Sequence, residues 1–153
     1  MTMKKLTEFL DKNKIQYVVI KHSPAYTSQE IAELAHISAK KLAKTVIVKI
    51  DNELAMIALP AHLKVDFNNI KKMTGAKKVE LASEAEFQEK FPDCELGAMP
   101  PFGNLFHMLV YVMSDLTKDN SIAFNAGTHV ELIKLAYKDF EKLVHPKVIK
   151  SKQ

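Results

Sequence analysis

Lys44 opens an otherwise apolar run, Val46-Ile47-Val48. A lysine at the mouth of a strand aims its ammonium into a cleft, where it serves as a phosphate or carboxylate contact. His129 follows Asn125-Ala126-Gly127-Thr128. Imidazole titrates near neutrality, with an unperturbed pKa of ~6.5, and so suits a general base or a hydrogen-bond donor. Gly97-Ala98-Met99-Pro100-Pro101-Phe102-Gly103 brackets two prolines and an aromatic with glycines. Its glycines allow positive φ or close approach of another molecule, and its prolines stiffen the segment. That combination suits a pocket wall. His22 and Tyr26 flank a loop that ends at Thr27, where a helix N-terminus would attract an anion. Each group also has a plain alternative: a solvated strand end for Lys44 and His129, a tight turn for the Gly/Pro stretch, an ordinary cap for Thr27.

Other chemistry lacks its signature. His36, His62, His107 and His145 show no ligand spacing, and no H-x-x-x-H or H-E-x-x-H occurs, so no metal site is expected. Cys94 is the one cysteine; it rules out an intramolecular disulfide and a cysteine-rich zinc site and has no Cys–His signature around it. There is no G-x-S-x-G, Walker loop or G-x-G-x-x-G. No cofactor is implied.

The elements that must position these residues follow from periodicity. Thr2–Lys14 reads as an amphipathic helix with Leu6, Phe9 and Leu10 on one face, and Ile15–Ile20 as a strand. Thr27-Ser28-Gln29-Glu30 fits a capping box for a helix ending near Ile37, and residues 38–43 read as another helical turn. Lys44–Ile50, Asp51-Asn52 and Glu53–Leu59 form the clearest hairpin, closed by Pro60. A helix over Val65–Thr74 stops at Gly75, Val79–Leu81 is a short strand, and Ser83 with Glu86 caps a helix through Lys90. Leu105–Met113, Ser121–Asn125 and His129–Leu135 read as successive strands, with residues 115–120 as a connector. Tyr137–Val144 is a closing helix and HPKVIKSKQ a basic tail. The elements lack a regular β-α-β rhythm, which predicts an α+β domain around a curved, largely antiparallel mixed sheet, barrel-like, with flanking helices.

Composition narrows the function. The chain has 47% hydrophobic and 26% charged residues, no repeat and no linker, so residues 1–153 are expected to be one domain. The N-terminus has charges throughout and no apolar core of a secretory signal, and no run is long enough to cross a bilayer. A cytoplasmic location is expected. Twenty-two lysines, with no arginine, stand against 18 acidic residues for a net charge of +4. Lysine point charges suit phosphates, whereas the missing guanidinium forks argue against sequence-specific reading of DNA.

Taken in order, His22-Ser23-Pro24-Ala25-Tyr26-Thr27, Lys44-Thr45-Val46, Gly97 through Gly103 and Asn125-Ala126-Gly127-Thr128-His129 resemble the YbaK/EbsC family. These are aminoacyl-tRNA deacylases related to the editing insertion domain of bacterial prolyl-tRNA synthetase. The resemblance runs from about Ile15 to Val144. It implies hydrolysis of a mischarged ester of a small amino acid (alanine, cysteine, serine or threonine), on tRNA-Pro or a related tRNA, with a synthetase as a possible partner. It makes Lys44 the residue most tied to activity, with Gly127 and His129 beside it. His22, Tyr26, Thr27, Thr45, Gly97, Pro100, Pro101, Phe102, Gly103 and Asn125 then bind substrate. The Pro100-Pro101-Phe102 and Gly-Thr-His variants depart from some members and bear on substrate identity. The alternatives are a non-catalytic module binding tRNA acceptor ends or a synthetase, and a domain binding a small acidic metabolite.

Overall fold

The computed structural model describes residues 2–22, 41–91, 94–95, 97–118 and 120–150. In chain order they form α1 (Thr2–Lys12), β1 (Tyr17–Lys21), β2 (Leu42–Ile50), β3 (Glu53–Pro60), α2 (Phe67–Thr74), β4 (Val79–Leu81) and α3 (Glu84–Phe87). There follow β5 (Leu109–Met113), α4 (Ser114–Thr117), β6 (Ser121–Asn125), β7 (Glu131–Ala136), α5 (Tyr137–Val144) and β8 (Lys147–Ile149). The strands make one mixed sheet in the order β1-β7-β6-β2-β3-β5-β8, with β4 on β2. Four of the seven pairings are antiparallel, and the sheet is open, with β1 and β8 at its ends. The α+β class and flanking helices agree with the sequence expectation. Among the described residues no helix is long and apolar enough to cross a membrane.

Side-chain alternation along the strands sends successive residues to opposite faces. One face buries Ala43 and Ile47 of β2, Met56 and Ala58 of β3, Phe124 of β6 and Ile133 of β7 against Leu6 and Leu10 of α1, Phe140 of α5 and Phe102. The other buries Val48, Ala55, Ile57 and Leu59 against Ile70 of α2 and Ile149 of β8. β2 sits at the junction. One edge pairs with β3; the other pairs with β6 at its start (Leu42↔Ala123, Ala43↔Phe124) and with β4 at its end.

Local signals hold where turn chemistry is short-range. Asp51 and Asn52 both adopt positive φ, the turn that matches a two-residue hairpin. Asp66 caps α2 by accepting the Asn69 N–H at 3.1 Å, and Gly75 ends it at φ 72° with its N–H donating to Lys71 O. The Ser83/Glu86 capping box forms; Lys49 and the Ser83 N–H bind the Glu86 carboxylate and hold its pKa down to about 2.

Several boundaries differ from the sequence expectation. Leu42 and Ala43 belong to β2 instead of a helical turn, because their backbone pairs with β6 and β3. The helix through Lys90 stops at Phe87 and tightens into a 3₁₀ turn. Residues 105–108 are not strand: Gly103–Leu105 is a 3₁₀ turn, His107 has φ 59°, and pairing with β3 begins only at Leu109. The connector after β5 contains α4, and β7 starts at Glu131, which leaves His129 in the preceding loop. The basic tail contributes β8, which pairs in parallel with Tyr111–Met113. The capping box at Thr27 and the helix after it lie outside the described residues.

Gly103 explains the tight return before β5. A Cβ there would lie 2.4 Å from Met108 O and 2.6 Å from Val110 Cγ2. Gly103→Ala should therefore destabilise the fold by ~1–3 kcal/mol through overpacking. A lower urea midpoint would register this; an unchanged midpoint would show that the loop relaxes freely.

Candidate active site

The parallel step between β2 and β6 brings two predicted residues together. Ala43 and Phe124 are register partners facing the large core, so Lys44 and Asn125, one residue further on, both face the opposite side. Asn125 is buried, and its Oδ1 finds no hydrogen-bond donor among the described residues. A buried amide acceptor without a donor carries a desolvation cost, so it is suited to receive an N–H or O–H from a ligand. Lys44 is half-buried. Burial first, and then the nearby Lys64 ammonium, push its pKa below the usual 10.5. Two cations brought this close suit an anion.

His129 reaches the same end of β6 through a laced pair of loops. The Glu95 N–H donates to Gly127 O at 2.8 Å, the Gly127 N–H donates to Ala98 O at 2.9 Å, and the His129 N–H donates to Glu95 Oε1 at 2.9 Å. Both main-chain polar groups of Gly127 are thus engaged, and at φ 101° it turns the chain where other residues would be strained. Gly97, at φ 81°, lies against the imidazole: a Cβ on Gly97 would be 3.6 Å from His129 Cε1. Thr128 Oγ1 donates to Glu131 Oε1 at 3.4 Å, and the His22 N–H donates to Val130 O at 2.9 Å. This sews the end of β1 to the same loop.

Other predicted residues are placed elsewhere. Phe102 is fully buried, its ring 5.3 Å from that of Phe124 and 5.5 Å from that of Phe140; it is a core residue. The near neighbours at Gly103 are Met108 and Val110 of its own chain, so the space next to it is filled from within. Thr45 faces the large core, on the side away from Lys44, because it alternates with it along β2. Pro100 and Pro101, a few residues after Gly97, are buried. Tyr26 and Thr27 lie outside the described residues. Sequence reasoning missed Glu95 and Lys64. Neither belongs to a motif, and each acts on a partner 34 and 20 positions away respectively.

The family model for the aminoacyl-tRNA editing domain matches residues 22–143, which include Lys44, Gly97, Asn125 and His129. The chain belongs to the aminoacyl-tRNA editing domain family. This editing domain is accordingly an aminoacyl-tRNA deacylase of the YbaK type, with an aminoacyl-tRNA as its substrate. It is 26% identical over 141 residues to the prolyl-tRNA editing protein ProX of Acetoanaerobium sticklandii, covering 88% of this chain and 85% of that one. Over 75 residues it is 32% identical to a proline–tRNA ligase of Bacillus mycoides, covering 49% of this chain and 13% of the ligase. Its fold matches the crystal structure of the hypothetical protein APE2540 with a TM-score of 0.83 at 20% identity, covering 94% and 96% of the two chains. It also matches that of a proposed trans-editing enzyme for prolyl-tRNA synthetase, with a TM-score of 0.82 at 17% identity over 99% and 97%.

Replacing Lys64 with Gln removes one of the two causes that lower the Lys44 pKa, so the Lys44 titration should move up towards 10.5. NMR of the lysine side chain would follow it. The folded chain holds this proton less tightly than the unfolded chain, so stability rises with pH through the window just below 10.5. That rise should shrink in Lys64→Gln. Glu95→Ala leaves the His129 N–H without its acceptor, at ~1–3 kcal/mol. Faster amide exchange at His129 and Gly127 than in the wild type is expected, and unchanged exchange would show that Glu95 does not hold the loop.

Proposed function

We propose that this domain acts in trans, hydrolysing the ester of a small amino acid (alanine, cysteine, serine or threonine) mischarged on tRNA-Pro or a related tRNA. The observation that carries the reading is the convergence of Lys44, the donor-less Asn125 amide and the Gly97–His129 contact at one end of the β2–β6 step. The similarity to ProX supports proline as the cognate amino acid. Residues 1–153 serve as one editing domain, working in the cytoplasm and open to delivery of substrate by a synthetase.

An aminoacyl ester is already activated, so hydrolysis requires a placed water and stabilisation of the oxyanion more than a strong nucleophile. Lys44 holds the 3′-terminal phosphate or ribose and orients the ester. Asn125 Oδ1 accepts from the substrate's ammonium or ribose hydroxyl. Water attacks the ester carbonyl carbon, and the N–H of Gly97 faces the developing oxyanion. The bond from carbon to the ribose oxygen then breaks, that oxygen takes a proton, and free amino acid leaves. The proton of the attacking water passes to His129 or to the neighbouring ribose hydroxyl. Gly127 acts through the loop by holding His129, and the rigid backing of Pro100 and Pro101 limits the side chain admitted. An added methylene changes binding by only ~1–3 kcal/mol, which is why a second sieve is useful for small side chains.

The test is release of amino acid from tRNAs charged with Ala, Cys, Ser, Thr or Pro, with wild type and Lys44→Ala side by side. One or two mischarged esters should be hydrolysed quickly, and Lys44→Ala should lose ~10²-fold or more in kcat/KM. Full activity in Lys44→Ala would remove Lys44 from the mechanism. Preference for Pro-tRNA over all four others would overturn the substrate assignment.

A further inference from the structure

The chain leaves β3 beside Lys44, whose register partner is Leu59, passes Lys64, forms α2 and returns as β4 beside Val48–Ile50. Residues 64–78 therefore run the length of β2 on the face that Lys44 occupies, ~20 Å at ~3.3 Å per strand residue. From Phe67 to Lys78 there are four lysines and no carboxylate. Lys64, Lys71, Lys72 and Lys77 are exposed and have no ion-pair partner among the described residues; Lys78 pairs with Glu80 at 3.2 Å. The acids on either side are already engaged. Asp66 caps α2, and Asp51 Oδ1 accepts the N–H groups of Lys77 and Lys78, both at 2.9 Å.

A second acid-free stretch joins the first. Residues 145–150, past the end of α5, contain no carboxylate, and Asn69 Nδ2 donates to Lys150 O at 2.8 Å, which anchors the end of β8 to α2. Lys147 and Lys150 are exposed there. Lysines at a helix C-terminus favour the helix dipole on their own account. That does not explain why two distant acid-free segments meet on one face, continuous with Lys44 and Lys64.

We propose that this lysine shelf seats the double-helical stem adjoining the aminoacylated end of the tRNA, laid from Lys44 along α2 by contacts to its phosphates. The assignment rests on the deacylase reading only in taking Lys44 as the position of the ester. Lysine without arginine is suited to a phosphate track and not to reading base edges, so the shelf would accept stems of different sequence. A-form RNA is recognised largely through its backbone and shape, which fits such a surface.

The experiment uses the full chain with Lys71→Gln/Lys72→Gln, the stronger Lys71→Glu/Lys72→Glu, and a control, Lys12→Gln/Lys142→Gln, on the helices of the opposite face. Affinity for uncharged tRNA is measured against salt, and hydrolysis is measured on an amino acid esterified to adenosine, which has no stem. The Gln pair should weaken tRNA binding about tenfold and reduce the log–log salt slope by ~1–2, near one for each phosphate no longer neutralised. The Glu pair should weaken it further. Hydrolysis of the adenosine ester should stay at the wild-type rate, which also reports that the variants are folded. Unchanged affinity and slope, or an equal loss in the control, would overturn the shelf. So would loss of binding to phosphatidylserine vesicles with tRNA binding intact. If the wild type hydrolyses neither the adenosine ester nor any of the charged tRNAs, yet binding of uncharged tRNA follows the expected pattern, the shelf stands and the deacylase chemistry falls.

Discussion

The short parallel pairing of β2 with β6 is the constraint on which the rest depends. It involves two residue pairs, Leu42↔Ala123 and Ala43↔Phe124, and among the described residues it is the ladder that joins the β1-β7-β6 part of the sheet to the β2-β3-β5-β8 part. Its register decides which side chains share a face. A slip of one residue would exchange faces along one strand and separate Lys44 from Asn125. The buried partners Ala43 and Phe124 hold that register, since Phe124 is wholly inside the core and packs on Phe102. Placement of the polar pair is thus a consequence of apolar packing one residue away.

The second requirement is a main chain that bends twice without strain. Gly97 and Gly127 both take positive φ, and their loops are tied by reciprocal bonds between residues 95–98 and 127–129. This makes the Gly/Pro stretch more of a scaffold than a wall. Its apolar members, Ala98, Met99 and Phe102, belong to the core, and its glycine brings the backbone against His129. Glu95 completes the arrangement with a charge-assisted bond to a backbone amide, which is stronger than a neutral one.

Charge is distributed to match a polyanion in a deacylase of this family. The Lys49–Glu80–Lys78 and Lys49–Glu86 pairs neutralise the far end of β2. Nearer the site, burial first and then the Lys64 ammonium hold the Lys44 pKa below its usual value. A folded protein tolerates such mutual repulsion more readily when an anionic ligand relieves it on binding.

What the chain determined by itself was everything that depends on near neighbours. The Asp51-Asn52 hairpin, the Gly75 stop, the Ser83/Glu86 box and α5 were legible because turn and cap chemistry acts within a few residues. The motifs around Lys44 and Gly127–His129 were legible as well, as residue types in order. Tertiary structure alone decided which of these meet. β8 was hidden because a three-residue strand that begins with Lys147 and is followed by Lys150 acquires strand character only when β5 offers a partner edge. Thr45 lies on the face away from Lys44 because a neighbour in sequence points to the opposite face of a strand, and Phe102 lies in the core because an aromatic in a rigid loop can turn inward as readily as outward. Glu95 and Lys64 carry no local signal. Their roles come from long-range proximity, which the fold creates and composition does not record.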